Sequence, residues 1–150
     1  MAQFEIIVGS VLGASEYVAD ALLEKLNEFG HSGNIALQPN LAELDQQTTW
    51  IICTSTHGAG DLPDNIQAFA EQVKQTSLKG LNFIVVGLGD SSYDTFCKGA
   101  MQIQDILVAS GATLLSPALH IDVLHHPIPE DAAVAWLDSW LESIANTKRA

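Results

Sequence analysis

Two short segments, "TWIICT" at residues 49–54 and "LNFIVVG" at 81–87, are apolar on both of their alternating faces. Strands of this kind are buried on both sides, which is typical of parallel sheets covered by helices. Other segments at 4–8, 34–37 and 113–121 predict three further strands. The five segments therefore predict a parallel sheet with helices on both faces.

Four other segments repeat apolar residues at helical spacing. They predict helices over Ser15–Phe29, Pro63–Lys74, Gly99–Ser110 and Asp131–Ala145. Strands and helices that alternate with right-handed crossovers form a doubly wound α/β fold. Because 150 residues suit one domain, we expect residues 1–150 to form a single domain around a doubly wound five-stranded parallel sheet.

The chain is strongly acidic, with 18 Asp and Glu residues against 6 Lys and Arg residues and a net charge of −12. This charge repels nucleic-acid phosphates and anionic lipids, so we expect neither nucleic acid nor membranes as partners. The negative charge instead favours association with other proteins that present basic surfaces. The simpler interpretation of the composition is that the negative charge only keeps a small protein in solution.

Cys53 and Cys97 are the two cysteines, and their spacing indicates neither a disulfide framework nor a zinc site. The first residues lack the basic segment and the long apolar run of a signal peptide or membrane span. We therefore expect a cytoplasmic protein. The histidines of the segment 120–126 lack the spacing of metal ligands, so we predict no metal site.

Three loops follow strands and have unusual compositions: the first loop, "GSVLGAS" (9–15), the second, "STHGAGDLPDN" (55–65), and the third, "GLGDSSYDTFC" (87–97). In doubly wound sheets, ligands bind beyond the carboxyl ends of the strands, where these loops lie. Glycines and hydroxyls at the start of a helix, as in the first loop, can hold a phosphate by hydrogen bonds. An ordinary helix start with Ser10 or Ser15 as the N-cap is the alternative.

Several common sites do not fit these loops. The first loop lacks the Lys of a triphosphate-binding loop and the Cys and Arg of a small phosphatase. Ser92 stands where a dinucleotide fingerprint has its third Gly, and the acids of a phospho-acceptor domain are missing. The second and third loops suit a flat heterocycle instead, because Tyr93 and Phe96 offer aromatic faces and the backbone of 88–90 offers hydrogen bonds.

The segments "EYVADAL" (16–22), "STHGAGDLPDN", "YDTFC" (93–97) and "IPED" (128–131) resemble those of short-chain flavodoxins, and the resemblance covers essentially the whole chain. It implies a flavodoxin-like sheet of strand order 2-1-3-4-5 with FMN as the cofactor. It also implies an electron carrier and not an enzyme, which receives electrons from a flavodoxin reductase-type donor and passes them to a client redox enzyme. Within the family, the resemblance points to biotin synthase as the client.

The resemblance further implies which residues contact FMN. Those around the phosphate would be Ser10, Val11, Leu12, Gly13, Ala14 and Ser15. Those around the isoalloxazine would be Thr56, His57, Gly58, Ala59 and Gly60 on one side, Leu88, Gly89 and Asp90 at the pyrimidine edge, Tyr93 on the outer face, and Phe96 and Cys97 behind the ring. Leu12 and His57 replace a hydroxyl and an aromatic residue that are usual in the family, which predicts weaker FMN binding than is usual.

Two other functions stay open from the sequence. One is a flavoenzyme that reduces a small substrate of its own, although the three loops contain no Lys or Arg to hold a second nucleotide. The other is an interaction module without a cofactor, because Leu12 removes a phosphate donor. The loop acids form either an acidic docking face for redox partners or ordinary solvated side chains; they are Asp61, Asp64, Asp90 and Asp94.

Overall fold

The computed structural model describes residues 3–10, 13–56, 61–92 and 96–149, with the side chains of the last helix described as far as residue 143. The strands are β1 (Gln3–Gly9), β2 (Ser32–Ala36), β3 (Thr49–Thr54), β4 (Asn82–Gly89), β5 (Thr113–Leu114) and β6 (Leu119–Asp122). The helices are α1 (Ala14–Glu28), α2 (Asp64–Lys74), α3 (Lys98–Ala109) and α4 (Pro129–Arg149), with a short 3₁₀ helix at Leu41–Glu43. In these ranges no helix has the length and apolar character needed to cross a membrane.

The strands form one parallel sheet in the order β2-β1-β3-β4-β5, and β6 also pairs with β4. This confirms the predicted doubly wound fold with strand order 2-1-3-4-5. The register brings the ends of the central strands level, because Gly9 of β1 pairs with Thr54 of β3, and Thr54 pairs with Gly87 of β4. The loops that follow these strands therefore leave the same edge of the sheet.

The prediction of one continuous fifth strand over Thr113–Ile121 is wrong, because the strand is broken into β5 and β6. Both halves pair in parallel with β4. From Leu114 to Leu119 the fifth strand runs over five positions, whereas the stretch of β4 that lies opposite is three positions long. Two residues of the fifth strand are therefore extra and do not pair with β4. The interruption contains Pro117, which has no N–H group to donate to a neighbouring strand.

The helix ends differ from the predicted bounds by a few residues. Helix α4 begins at Pro129, since proline suits the first helical turn, and not at Asp131 as predicted. It continues to Arg149, beyond the predicted end. Gly30 follows α1 with a φ of +83°, and Gly33 pairs with β1 as part of β2.

Helices cover both faces of the sheet and bury a separate apolar cluster on each. Helices α2 and α3 cover one face, where Trp50, Phe69 and Phe83 are fully buried. Helices α1 and α4 cover the other face, where Leu22 and Leu137 are fully buried. Burial of each such side chain stabilises the fold by about 1.5–3 kcal/mol. Because both faces are covered, β3 and β4 are apolar at nearly every position.

Candidate cofactor site

Hydrogen bonds join the three loops at the carboxyl edge of the sheet. Ser55 N donates to Gly9 O at 3.0 Å, which connects the second loop to the first. Gly99 N donates to Thr56 Oγ1 at 2.9 Å, which connects the second loop to the helix that follows the third. The loops that were grouped by composition therefore meet in space.

The first loop enters α1 through Gly13, whose φ of +88° is a left-handed conformation that glycine adopts without strain. Gly13 is the N-cap of α1, and no side chain in the described part of the chain caps that helix. Ser10 Oγ accepts a hydrogen bond from Gly13 N at 2.9 Å, within the loop. The alternative in which Ser10 or Ser15 is the N-cap is therefore wrong, because the cap position falls between them.

The hydroxyl of Ser15 lies at the start of α1, is fully buried, and has no hydrogen-bond partner among the described residues. Burying a hydroxyl without a partner costs about 1–3 kcal/mol, so such a group calls for an explanation such as a missing ligand. The amides of Ala14 and Ser15 belong to the first helical turn, where N–H groups have no intrahelical acceptor. These donors and the positive end of the helix dipole fit a phosphate group without any cation.

Ser55 carries the second buried hydroxyl for which the described ranges offer no partner. It follows β3 directly, two positions after Cys53. Cys53 Sγ donates a weak hydrogen bond to Ser15 O at 3.5 Å, so the Cys53 side chain points to the face on which α1 begins. Because side chains two apart on a strand share a face, Ser55 points the same way. Both hydroxyls are therefore available on one side of this edge.

The third loop is pressed against the start of α3. A Cβ atom on Gly89 would lie 2.9 Å from Cys97 N and 3.0 Å from Phe96 Cδ1, so a larger residue would displace the loop. The Asp90 carboxylate accepts hydrogen bonds from Ser92 N at 2.9 Å and from Ser92 Oγ at 2.6 Å. The Asp90 side chain thus shapes the turn, and the loop backbone is the part that can meet the edge of a heterocycle.

The third loop packs against the protein interior through the side chains of Leu88, Phe96 and Cys97. Cys97 is fully buried with a φ of 54°, and burial raises the pKa of its thiol to about 12, with the charge of Asp122 adding to the rise. Phe96 is half-buried and meets the His120 ring edge to face, with 6.3 Å between the ring centroids. Leu88 is 2 % exposed. A buried, protonated thiol indicates that Cys97 packs and does not act as a redox group.

Two residues tie the loops in place although sequence patterns do not single them out for this role. Asn65, in the first turn of α2, accepts a hydrogen bond from Ser10 N at 3.0 Å. Asp122, at the end of β6, accepts hydrogen bonds from Ser91 N at 3.2 Å and Leu124 N at 3.0 Å. Both bonds to the loops join residues far apart in the chain, so no local spacing could have predicted them.

The structure describes ten of the residues that were predicted to contact FMN, and they all lie at this edge: Ser10, Gly13, Ala14, Ser15, Thr56, Leu88, Gly89, Asp90, Phe96 and Cys97. The other seven lie outside the described residues: Val11, Leu12, His57, Gly58, Ala59, Gly60 and Tyr93. Asp94 of the predicted acidic face lies outside them as well.

Two other kinds of site have less support. Within the described part of the chain, no group of three or more His, Cys, Asp or Glu side chains could hold a metal ion. A groove of about 530 Å³ lies between α2 and α3. Its Lys74 and Glu71 side chains are exposed and paired with each other at 2.9 Å, which is typical of ordinary surface. The edge formed by the three loops is therefore the candidate site.

The fold and this edge together define a class of protein: doubly wound α/β domains, in which ligands bind beyond the carboxyl ends of the strands. Comparison with known proteins identifies the family. The Flavodoxin family model matches residues 6–136. Protein MioC of Escherichia coli (strain K12) is 42 % identical over 143 residues, which cover 94 % of this chain and 97 % of that protein.

Two further proteins extend the comparison. A point mutant of flavodoxin from Pseudomonas aeruginosa is similar in structure, with a TM-score of 0.84 at 32 % identity, over 92 % of this chain and 95 % of that one. The sulfite reductase (NADPH) flavoprotein alpha-component of Shewanella sp. (strain ANA-3) is 35 % identical over 136 residues, which are 87 % of this chain but 22 % of that protein.

The chain therefore belongs to the flavodoxin family, and its similarity to MioC proteins confirms the resemblance drawn from its motifs. Family membership confirms FMN as the cofactor and electron transport as the general function.

The carboxylate of Asp122 gives the third loop a stability that depends on pH. Hydrogen bonds from Ser91 lower the pKa of Asp122, and the Leu124 amide and the charge of His125 lower it further, while burial opposes them. A carboxylate whose pKa is depressed in the folded state stabilises the fold above its unfolded pKa of about 3.9, and this contribution disappears as pH falls through the folded pKa.

We therefore expect Asp122→Asn to lower the urea midpoint of the apoprotein at pH 7, and the difference from the wild type to shrink as pH falls below about 4. Urea denaturation of both proteins between pH 7 and pH 3 measures this. A difference that stays constant over the whole range would contradict the role of the carboxylate charge.

Proposed function

We propose that this chain carries FMN at the edge formed by the three loops and shuttles electrons between a reductase and a client enzyme. The phosphate would bind the first loop, from Ser10 to Ser15. The isoalloxazine would lie between the second and third loops. Bound there, FMN supplies one-electron and two-electron chemistry, and the chain supplies binding, orientation and electrostatics.

The observation that carries this proposal is the buried hydroxyl of Ser15. It has no partner in the described part of the chain, although it lies beside the unpaired amides at the start of α1. A phosphate placed there would accept hydrogen bonds from the hydroxyl and from the amides of Ala14 and Ser15. Its binding would remove the cost of the unsatisfied group, which water reaches poorly.

The other predicted contacts fit the proposed ring position. The third loop presents the backbone of Leu88, Gly89 and Asp90, and Phe96 and Cys97 pack behind it. Thr56 Oγ1 is fixed by the Gly99 amide at 2.9 Å. The residues that would complete the ring contacts are His57, Gly58, Ala59, Gly60 and Tyr93, with Val11 and Leu12 completing the phosphate loop.

A carrier suits this edge better than an enzyme with its own substrate. The three loops contain no basic residue that could hold the phosphates of a nicotinamide dinucleotide. Burial raises the pKa of the Cys97 thiol to about 12, so this cysteine offers no nucleophile at neutral pH. The chain provides a place for FMN and, in the described residues, no side chain poised for substrate chemistry.

The proposed partners are proteins with basic surfaces. Asp61 and Asp64 are exposed at the end of the second loop, and Asp90 is half-exposed in the third, within a chain of net charge −12. Opposite charges of this kind steer encounters more than they add affinity. The donor would be a flavodoxin reductase-type flavoprotein. The client proposed from the similarity to MioC is biotin synthase.

Ser15→Ala is expected to raise the Kd for FMN about 10- to 100-fold, because a hydrogen bond to a charged group contributes about 1.5–3 kcal/mol. The same change should not lower the stability of the apoprotein, since the hydroxyl has no hydrogen-bond partner among the described residues. Fluorescence titration with FMN and urea denaturation measure the two effects.

Ser110→Ala is the matched control, because Ser110 Oγ donates to Leu107 O at 2.7 Å at the far end of α3. Its FMN affinity should equal that of the wild type. If Ser15→Ala binds FMN as tightly as the wild type, the phosphate does not lie on this hydroxyl.

The acidic face predicts a strong dependence of electron transfer on salt. The rate of FMN reduction by a flavodoxin reductase should fall as NaCl rises from about 10 mM to 500 mM, because the Debye length shrinks from about 30 Å to a few Å. Stopped-flow absorbance with NADPH and the reductase measures the rate. A rate that does not change with salt would contradict docking through this face.

A further inference from the structure

The side chain of Asn65 makes three hydrogen bonds between α2 and the chain around the first loop. Asn65 Oδ1 accepts from Ser10 N at 3.0 Å. Asn65 Nδ2 donates to Val8 O at 2.6 Å and to Leu37 O at 2.9 Å. One orientation of the amide satisfies all three partners, since two are acceptors and one is a donor. The amide is therefore held in a fixed position.

The bonds of Asn65 to Val8 and Ser10 take the place of the bonds that β2 would make to the end of β1. Strand β2 pairs with β1 only as far as Ala36 opposite Ile7, whereas β1 continues to Gly9. Gly9 O faces β3, where Ser55 N donates to it. Since alternate residues of a strand bond to opposite sides, Val8 O and Ser10 N face the side that β2 has left.

The Asn65 amide fills this position as the N–H and C=O groups of one residue of β2 would. It offers one acceptor to Ser10 N and one donor to Val8 O, which is the pattern that a parallel neighbour presents. Its second donor bonds Leu37 O, on the chain that leaves β2. The ladder on this side of β1 is thus extended by a side chain from another element.

The hydrogen bond from Ser10 N to Asn65 also restrains the first loop. Asn65 fixes the backbone of Ser10, and Ser10 Oγ accepts from Gly13 N at 2.9 Å. Gly13 in turn is the N-cap of α1. A chain of hydrogen bonds therefore runs from the first turn of α2 to the first turn of α1, along the whole described part of the first loop.

We propose that Asn65 is a positioning residue for phosphate recognition: it sets the conformation of the first loop from the β2 side of the sheet. Asn65 acts through Ser10 and does not itself bind the ligand. This inference rests on the proposed function, because it assumes that the first loop holds the FMN phosphate. A purely structural role, in which Asn65 only attaches α2 to the sheet, is the competing explanation.

Comparison of FMN with riboflavin separates the two roles, because riboflavin has the same ring and ribityl chain but no phosphate. In Asn65→Ala the Kd for FMN is expected to rise about tenfold, equivalent to about 1.4 kcal/mol, while the Kd for riboflavin changes less than about twofold. The ratio of the two Kd values is the readout. If Asn65 had only a structural role, Asn65→Ala would weaken the binding of FMN and of riboflavin alike and leave the ratio of their Kd values unchanged.

Gln72→Ala is the matched control on the same helix. Gln72 Oε1 accepts from Leu41 N at 2.9 Å and Gln72 Nε2 donates to Asn40 Oδ1 at 3.2 Å, so it also joins α2 to the chain after β2. It does not touch the first loop in these bonds. Its removal should lower stability without changing the ratio of the Kd values.

A second variant and a measurement on the wild type cover the case in which Asn65→Ala does not fold. Asn65→Asp replaces both donors with an acceptor that Val8 O and Leu37 O repel, so the side chain should leave Ser10 N and the preference for FMN should fall as in Asn65→Ala. In the wild-type apoprotein, the Ser10 amide and the Asn65 side-chain amide should exchange slowly with D₂O by NMR. Exchange at the rate of a free amide would overturn the inference.

The outcomes for the two proposals differ. If the wild type binds neither flavin, the proposed function fails and this inference fails with it. If the wild type binds FMN and prefers it to riboflavin, but Asn65→Ala keeps the same preference, only the positioning role is overturned.

Discussion

The level ends of β1, β3 and β4 are the constraint on which the candidate site depends. The pairing of Gly9 with Thr54, and of Thr54 with Gly87, places three loop starts side by side. The bond from Ser55 N to Gly9 O extends the β1–β3 ladder into the loops themselves. A shift of one residue in this register would turn the Ser55 hydroxyl to the opposite face of the sheet, away from the start of α1.

Binding a phosphate without a cation has an electrostatic consequence in a protein of net charge −12. At long range the protein repels FMN, so the site depends on short-range hydrogen bonds from the helix start and from hydroxyls such as that of Ser15. Such bonds are effective only where the donors are already in position. This requirement explains why residues that never touch the phosphate, with Asn65 as the clearest case, matter to the site.

The sequence predicted the parts of the structure that follow local rules. Strands β3 and β4 were predictable because burial on both faces leaves them almost wholly apolar, and the three loops stood out by their glycines, hydroxyls and aromatics. The break in the fifth strand was not predicted, because Pro117 is tolerated at a sheet edge and does not by itself end pairing. The burial of the Ser15 hydroxyl, without a partner in the described ranges, and the three bonds of Asn65 depend on tertiary packing, which spacing along the chain does not encode.

A crystal structure of the protein with FMN bound would show directly where the phosphate and the ring lie. We expect the phosphate within hydrogen-bond distance of Ser15 Oγ and of the first amides of α1, with the ring between the second and third loops. A phosphate that points to solvent, or FMN bound elsewhere, for example in the groove between α2 and α3, would contradict the proposed site.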